Sequence, residues 1–220
     1  NLGGLMAFPI SDVRACFPSL ALTDDCQPRI YVDNPAGTQV PLSVADAVRD
    51  YMLTTASNAG GHFVTSIATD AVWQKAHEDA ALFLGARSFK EVIIGQSMTS
   101  LSFHLSRSIC RDFLPGDEIV ITRMEHEGNV GAWLEIAKDK DLTVRWVDFN
   151  HETWQVEPEN LAAQLGPRTK LVALNYASNM TGSINDIPAL VKLAKDAGAL
   201  VFVDAVQLVP HHLVDVDALG

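Results

Sequence analysis

The chain has 220 residues, 48% of them hydrophobic, and a formal net charge of −11 with no cluster of Lys or Arg. That composition excludes a disordered chain and argues against a nucleic-acid backbone or an anionic membrane as partner. Cys16, Cys26 and Cys110 form no CxxC pair and no apolar run is long enough for a membrane span, so a reducing cytoplasm fits better than a disulfide framework or a structural zinc site.

Asn1–Ile10 lacks the basic start of a secretory signal, and Asn1–Leu5 reads as a tag remnant before a natural start at Met6. An N-terminal segment, 1–29, is expected to precede one large domain over 30–220. Ile30-Tyr31-Val32-Asp33 reads as a short strand. The turn after it, Asn34-Pro35-Ala36-Gly37-Thr38, either brings backbone donors to a ligand or simply reverses the chain. Two packing helices are expected next, from Pro41 to about Thr54 with Val44, Val48 and Tyr51/Met52 on one side, and from about Ile67 to Leu84.

From Glu91 strands and helices alternate, as in a parallel sheet flanked by helices. The expected strands are Val92–Ile94, Ile119–Ile121, Val144–Val147, Leu171–Leu174 and Leu200–Val203. The helices between them are expected after Ser100 with Leu101, Leu105, Ile109 and Phe113 on one face, then over Asn129–Lys138, Pro158–Leu165 and Ile187–Ala197. The unbroken apolar run Leu200–Val203 predicts a strand covered on both faces.

Chemistry-bearing residues fall just beyond four of these strands. Gly95-Gln96-Ser97-Met98-Thr99-Ser100 lies at a strand-to-helix junction, where free N–H groups and the helix dipole favour an anion; Ser97 also suits plain capping. His126, within Glu125-His126-Glu127, offers an imidazole that stacks on a flat ring and moves protons, or a solvated loop residue. Asn179 places a carboxamide at the same edge, or forms a turn. Asp204 ends a buried strand, where a carboxylate needs a cation or several donors, and Gln207 follows three residues on. His211 and His212 with Asp215 and Asp217 match no familiar metal spacing, so no metal is expected. An anion site, an imidazole, a carboxamide and a buried carboxylate together suit a phosphorylated, electron-deficient heteroaromatic ring such as pyridoxal 5'-phosphate.

These residues resemble the class V aminotransferase group of fold type I pyridoxal-phosphate enzymes, especially the cysteine desulfurases and a desulfurase-like branch. The similarity runs from about Val13 to the last residue, through Tyr31-Val32-Asp33-Asn34-Pro35-Ala36-Gly37-Thr38-Gln39, Met98-Thr99-Ser100-Leu101, Tyr176-Ala177-Ser178-Asn179 and Val203-Asp204-Ala205-Val206-Gln207. The resemblance implies an α/β fold: the fold type I large domain, a mainly parallel sheet flanked by helices, incomplete on its C-terminal side. It implies that Gln96 and Ser97 bind the phosphate, and that His126 stacks on the ring and acts in proton transfer. It further implies that Asn179 and Gln207 bond the ring oxygen and that Asp204 partners the pyridine nitrogen.

Two departures stand out. Glu127 occupies the place of a second His found in desulfurases of the sulfur-assimilation type. The family's Schiff-base lysine is expected roughly two dozen residues beyond the Asp204 strand, past Gly220. Lys75, Lys90, Lys138, Lys140, Lys170, Lys192 and Lys195 read as solvated charges, and Cys110, in the helix after the anion loop, is a poor nucleophile.

The implied function is a cytoplasmic, homodimeric pyridoxal-phosphate enzyme cleaving the C–S bond of cysteine or a related amino acid. Transamination and epimerisation are the neighbouring alternatives. A truncated, non-catalytic cofactor-binding or association module is the alternative of another class.

Overall fold

A computed structural model describes residues 8–220, so Asn1–Leu5 and Met6 lie outside the described residues. The chain divides into two compact units, one ending at Lys75 and the other running from Ala76 to Gly220.

The first unit opens with α1 (Ile10–Ala15), followed by β1 (Thr23–Asp24) paired antiparallel with β2 (Gln27–Pro28). Asp25 and Cys26 join them with φ of 49° and 64°, the two positive values that a type I′ hairpin turn requires. Arg29 clasps Asp24 across this ribbon through two bonds of 2.7 and 2.8 Å. Ile30–Asp33, expected as a strand, is irregular chain instead. No strand pairs with it, and Ile30 and Val32 are exposed. The turn at Asn34–Ala36 forms as expected, closed by bonds from Ala36 N–H to the Asp33 carbonyl and from Gly37 N–H to the Asn34 carbonyl. Helix α2 (Leu42–Thr54) matches its expected bounds but buries no residue, and its Val44, Val48 and Met52 stripe is exposed. Helix α3 (Val64–Leu84), within which the unit boundary falls, starts three residues earlier than its apolar spacing predicts.

The second unit is built on a four-stranded parallel sheet. After α3 the chain passes through α4 (Met98–Ile109), β3 (Glu118–Thr122), α5 (Gly131–Asp139), β4 (Thr143–Val147), α6 (Pro158–Ala162), β5 (Thr169–Asn175), α7 (Ile187–Asp196) and β6 (Leu200–Asp204). The strand order is β4-β3-β5-β6. Val92–Ile94 was expected to supply a further strand but pairs with nothing, so the Gln96–Ser97 loop follows irregular chain.

Alternation along the strands divides the core in two. Ile119 and Ile121 of β3 and Leu171 and Ala173 of β5 pack with Trp133 and Ile136 of α5. Val120, Val172 and Leu174 face the other way, onto Leu161 of α6 and Ile187, Leu190 and Val191 of α7. Covered on both faces, β3 and β5 can be apolar throughout their centres. Strand β6 lies at the edge of the sheet: Val201 and Val203 pack on one core and Phe202 on the other, so both faces are covered as expected but only in part, with Leu200 exposed.

Helix ends are set by short-range chemistry. Asp186 caps α7 by accepting the Ala189 N–H at 3.2 Å, and Gly198, at φ +82°, reverses the chain into β6. On α4 the buried row is Ser102 and Ser106, continuing to Cys110, while Leu101, Leu105 and Ile109 are half-buried. Small side chains on that row leave room for α5 to pack closely against α4.

Candidate functional site

The strand order turns back between β3 and β5, since β3 is followed by β4 on one side and the chain then returns to build β5 on the other. With α5 on one face and α6 and α7 on the opposite one, the carboxyl ends of β3 and β5 lie at the position where open α/β sheets usually bind ligands.

The loop after β3 carries Glu125 and His126 at this edge. His126 Nδ1 accepts the Gly128 N–H at 3.0 Å, so the neutral ring carries its proton on Nε2, the nitrogen left for other partners. The imidazole is exposed. Gly128 sits hard against the start of α4: a Cβ there would lie 2.8 Å from Thr99 Oγ1 and 3.2 Å from both His126 Nδ1 and Met98 Sδ. The His126 loop and the first turn of α4 are therefore in contact.

At that turn Ser97 is extended and caps α4, its hydroxyl accepting the Ser100 N–H at 3.1 Å and lying 3.0 Å from Ser100 Oγ. A side chain at Gly95 would collide with Leu101, at 2.5 Å, which explains the glycine before the loop. Gln96 and Ser97 are both exposed, and Gln96 makes no side-chain bond among the described residues. The capping reading of Ser97 thus holds, and it leaves the first N–H groups of a twelve-residue helix facing outward.

Asp204 closes β6 beside Asn175, which closes β5. It is 8% exposed, and Oδ1 accepts the Val206 N–H at 3.0 Å; among the described residues no group donates to Oδ2. Loss of water pushes this carboxyl above the usual carboxylate range, against the pull of the Val206 N–H and of the nearby His126 imidazole. Asn179 and Gln207, half-buried in the turns after β5 and β6, make no side-chain bond among the described residues. The structure thus brings Thr99, Gly128, His126 and Asp204 into one neighbourhood, while no bond ties Gln96, Asn179 or Gln207 to it.

Beneath these residues lies a polar network. Glu125 receives the Thr122 hydroxyl at 2.5 Å, the Asn129 carboxamide at 2.6 Å and the Asn175 N–H at 2.8 Å. Asn175 in turn donates to the Met124 carbonyl at 3.1 Å and receives Asn185 at 2.9 Å. Three buried asparagines and a carboxyl group in one short region form a signal that residue-by-residue reading passes over.

Cys110 is fully buried and its thiol is pushed up to about 11 by loss of water, which fits its expected inertness. In the His211–Asp217 stretch the two carboxylates make ordinary bonds. Asp215 Oδ1 takes the Asp217 and Ala218 N–H groups, and Asp217 pairs with Arg87. Among the described residues no helix is long and apolar enough to cross a membrane.

Residues 30–220 match the family model described as aminotransferase class V. The chain belongs to the class V aminotransferase family. Within and around that family it is similar to a cysteine desulfurase of Dickeya dadantii, 35% identical over 215 residues that cover 96% of this chain and 52% of that protein. It is 33% identical to an aminotransferase-like protein of Gibberella zeae over 222 residues, covering 97% of this chain and 53% of that protein. The apo structure of a cysteine desulfurase from Thermococcus onnurineus NA1 matches with a TM-score of 0.84 at 27% identity, covering 99% of this chain and 52% of that one. The chain spans about half the length of the curated relatives it matches.

Proposed function

We propose that the intact protein is a pyridoxal-phosphate enzyme that acts on an amino acid, with C–S cleavage of cysteine or a related amino acid as its reaction. The observation that carries this reading is Asp204: nearly buried, held by a single donor, and beside an exposed imidazole. A carboxylate so placed is short of positive charge, and a protonated pyridine nitrogen supplies it. When bound, pyridoxal phosphate supplies an electron sink for a carbanion formed from the substrate.

This chain's own residues would do the holding. Ser97 and Gln96, with the outward N–H groups of α4, suit the phosphate; Asn179 and Gln207 suit the ring oxygen; the His126 ring suits the cofactor face, with Nε2 free to hold or move a proton. The kinship with desulfurases supports the reaction class, and a cytoplasmic homodimer is part of the same proposal. Glu127, in place of a second His, and the aminotransferase-like relative favour transamination as the second reading.

The test is reconstitution of the intact protein with pyridoxal phosphate, followed by an amino-acid panel scored for sulfide and for keto-acid products. A visible cofactor band with sulfide released from cysteine is the expected result. Keto acid without sulfide would shift the assignment to transamination, and absence of any band would remove the cofactor from the proposal.

Gly128→Ala should weaken the site without touching any of these groups chemically. Its methyl would force Thr99, Met98 and His126 apart, so cofactor affinity is expected to fall roughly tenfold in equilibrium titration. Unchanged affinity would mean that contact between α4 and the His126 loop does not matter to binding.

A further inference from the structure

Glu125 has no part in the roles above, yet its carboxyl group accepts three hydrogen bonds at this edge of the sheet. Its three donors come from separate places: Thr122 ends β3, Asn175 ends β5, and Asn129 lies in the turn before α5. One carboxyl group thereby holds the ends of two strands at the point where the sheet order reverses, together with the loop that carries His126. Asn129 is itself fixed, because its Oδ1 accepts the Trp133 indole N–H at 2.9 Å. A network satisfied at every member specifies one arrangement.

A carboxyl group does something here that a carboxamide would not, because it carries a titratable charge. The groups that face it from β3, β5 and the turn before α5 are uncharged, and Asp204 of β6 is the charged group that acts on it. Loss of water pushes Glu125 up to about 8; its three donors pull the other way, and Asp204 adds to the rise. Charge on Glu125 and charge on Asp204 therefore oppose each other.

We propose that Glu125 is a positioning residue of this site: its carboxyl group clamps the imidazole-bearing loop to the end of β5, and the charge it takes on when it ionises acts on Asp204. The effect on the cofactor rests on the proposed function, whereas the clamp does not.

The cofactor-free intact protein tests the clamp. An acid whose proton affinity rises on folding lends stability below its ordinary value of 4.5 and loses that contribution as pH climbs towards about 8. Glu125→Gln cannot ionise, so the thermal midpoint of the variant minus that of the wild type is expected to climb between about pH 5 and about pH 9. A difference that stays level across that range would overturn the desolvated carboxyl on which the clamp is argued.

The loaded protein tests the charge. Glu125 becomes negative as pH passes about 8, and removing that charge disfavours positive charge in the site, so the pH midpoint of the cofactor's visible absorbance is expected to fall by up to about one unit in Glu125→Gln. Glu125→Asp, which keeps the charge, should return it towards the wild-type value. Thr122→Val deletes one donor to the carboxylate and so favours its neutral form. It should move the midpoint in the same direction as Glu125→Gln, and it serves if that variant fails to fold. Unmoved midpoints in both variants, with the band present, would overturn the inference and leave the proposed function standing. A wild type that shows no band would overturn the proposed function, and the cofactor-free titration would still decide the clamp.

Discussion

Asp204→Asn in the intact, cofactor-loaded protein is expected to keep the fold and to lose roughly 10²–10³-fold in turnover. The substitution is nearly isosteric, and the new carboxamide oxygen can still accept the Val206 N–H that Oδ1 accepts at 3.0 Å. What disappears is the negative charge that β6 delivers at its carboxyl end almost out of water. Stability should move in the opposite sense. Folding raises the proton affinity of Asp204, so its charged form costs stability as pH rises, and neutral Asn escapes that cost. The cofactor-free variant should therefore gain on the wild type in thermal midpoint as pH rises above the ordinary value of 3.8. Turnover near the wild-type level would take Asp204 out of the chemistry. A variant that loses ground as pH rises would contradict the environment described for the carboxyl.

The sheet was legible because its central strands are insulated from water. Unbroken apolar runs at Ile119–Ile121 and Leu171–Leu174 lie between two helical layers, so burial alone marks them. The same logic failed at Ile30–Asp33 and Val92–Ile94, which are apolar but have no neighbouring strand. Strand formation depends on pairing as well as composition. The β1–β2 ribbon escaped notice because its turn is Asp25-Cys26, without the Gly or Asn that advertises positive φ. In the site, His126 and Asp204 stood out because an imidazole or a carboxylate beyond a buried strand is chemically conspicuous. Glu125 did not, since a carboxylate beside a histidine reads as a solvated charge until Asn175, fifty residues later, is found donating to it.

Trp133→Ala is expected to produce the largest loss of stability in the second unit, roughly 3–5 kcal/mol from the emptied volume. The indole is fully buried, packed edge-on to Phe202 with centroids 5.1 Å apart, and its N–H is the donor to Asn129 Oδ1. Losing that donor leaves a buried oxygen unpaired, which costs about 1 kcal/mol or more in addition. Urea unfolding of the intact protein reads the sum as a lower midpoint. Trp133→Phe shifts the balance between the two parts, because it keeps an aromatic ring in the core while removing the N–H and only part of the indole volume. Its stability loss should be modest, about 1–2 kcal/mol. Its effect on the site should be larger than that loss suggests. Asn129, released by the indole, holds Glu125 less firmly, and Glu125 anchors the His126 loop, so cofactor affinity should fall along with the urea midpoint. If affinity stayed at the wild-type value while stability fell, the path from α5 through Asn129 to the His126 loop would carry no weight, and Trp133 would matter only as filling.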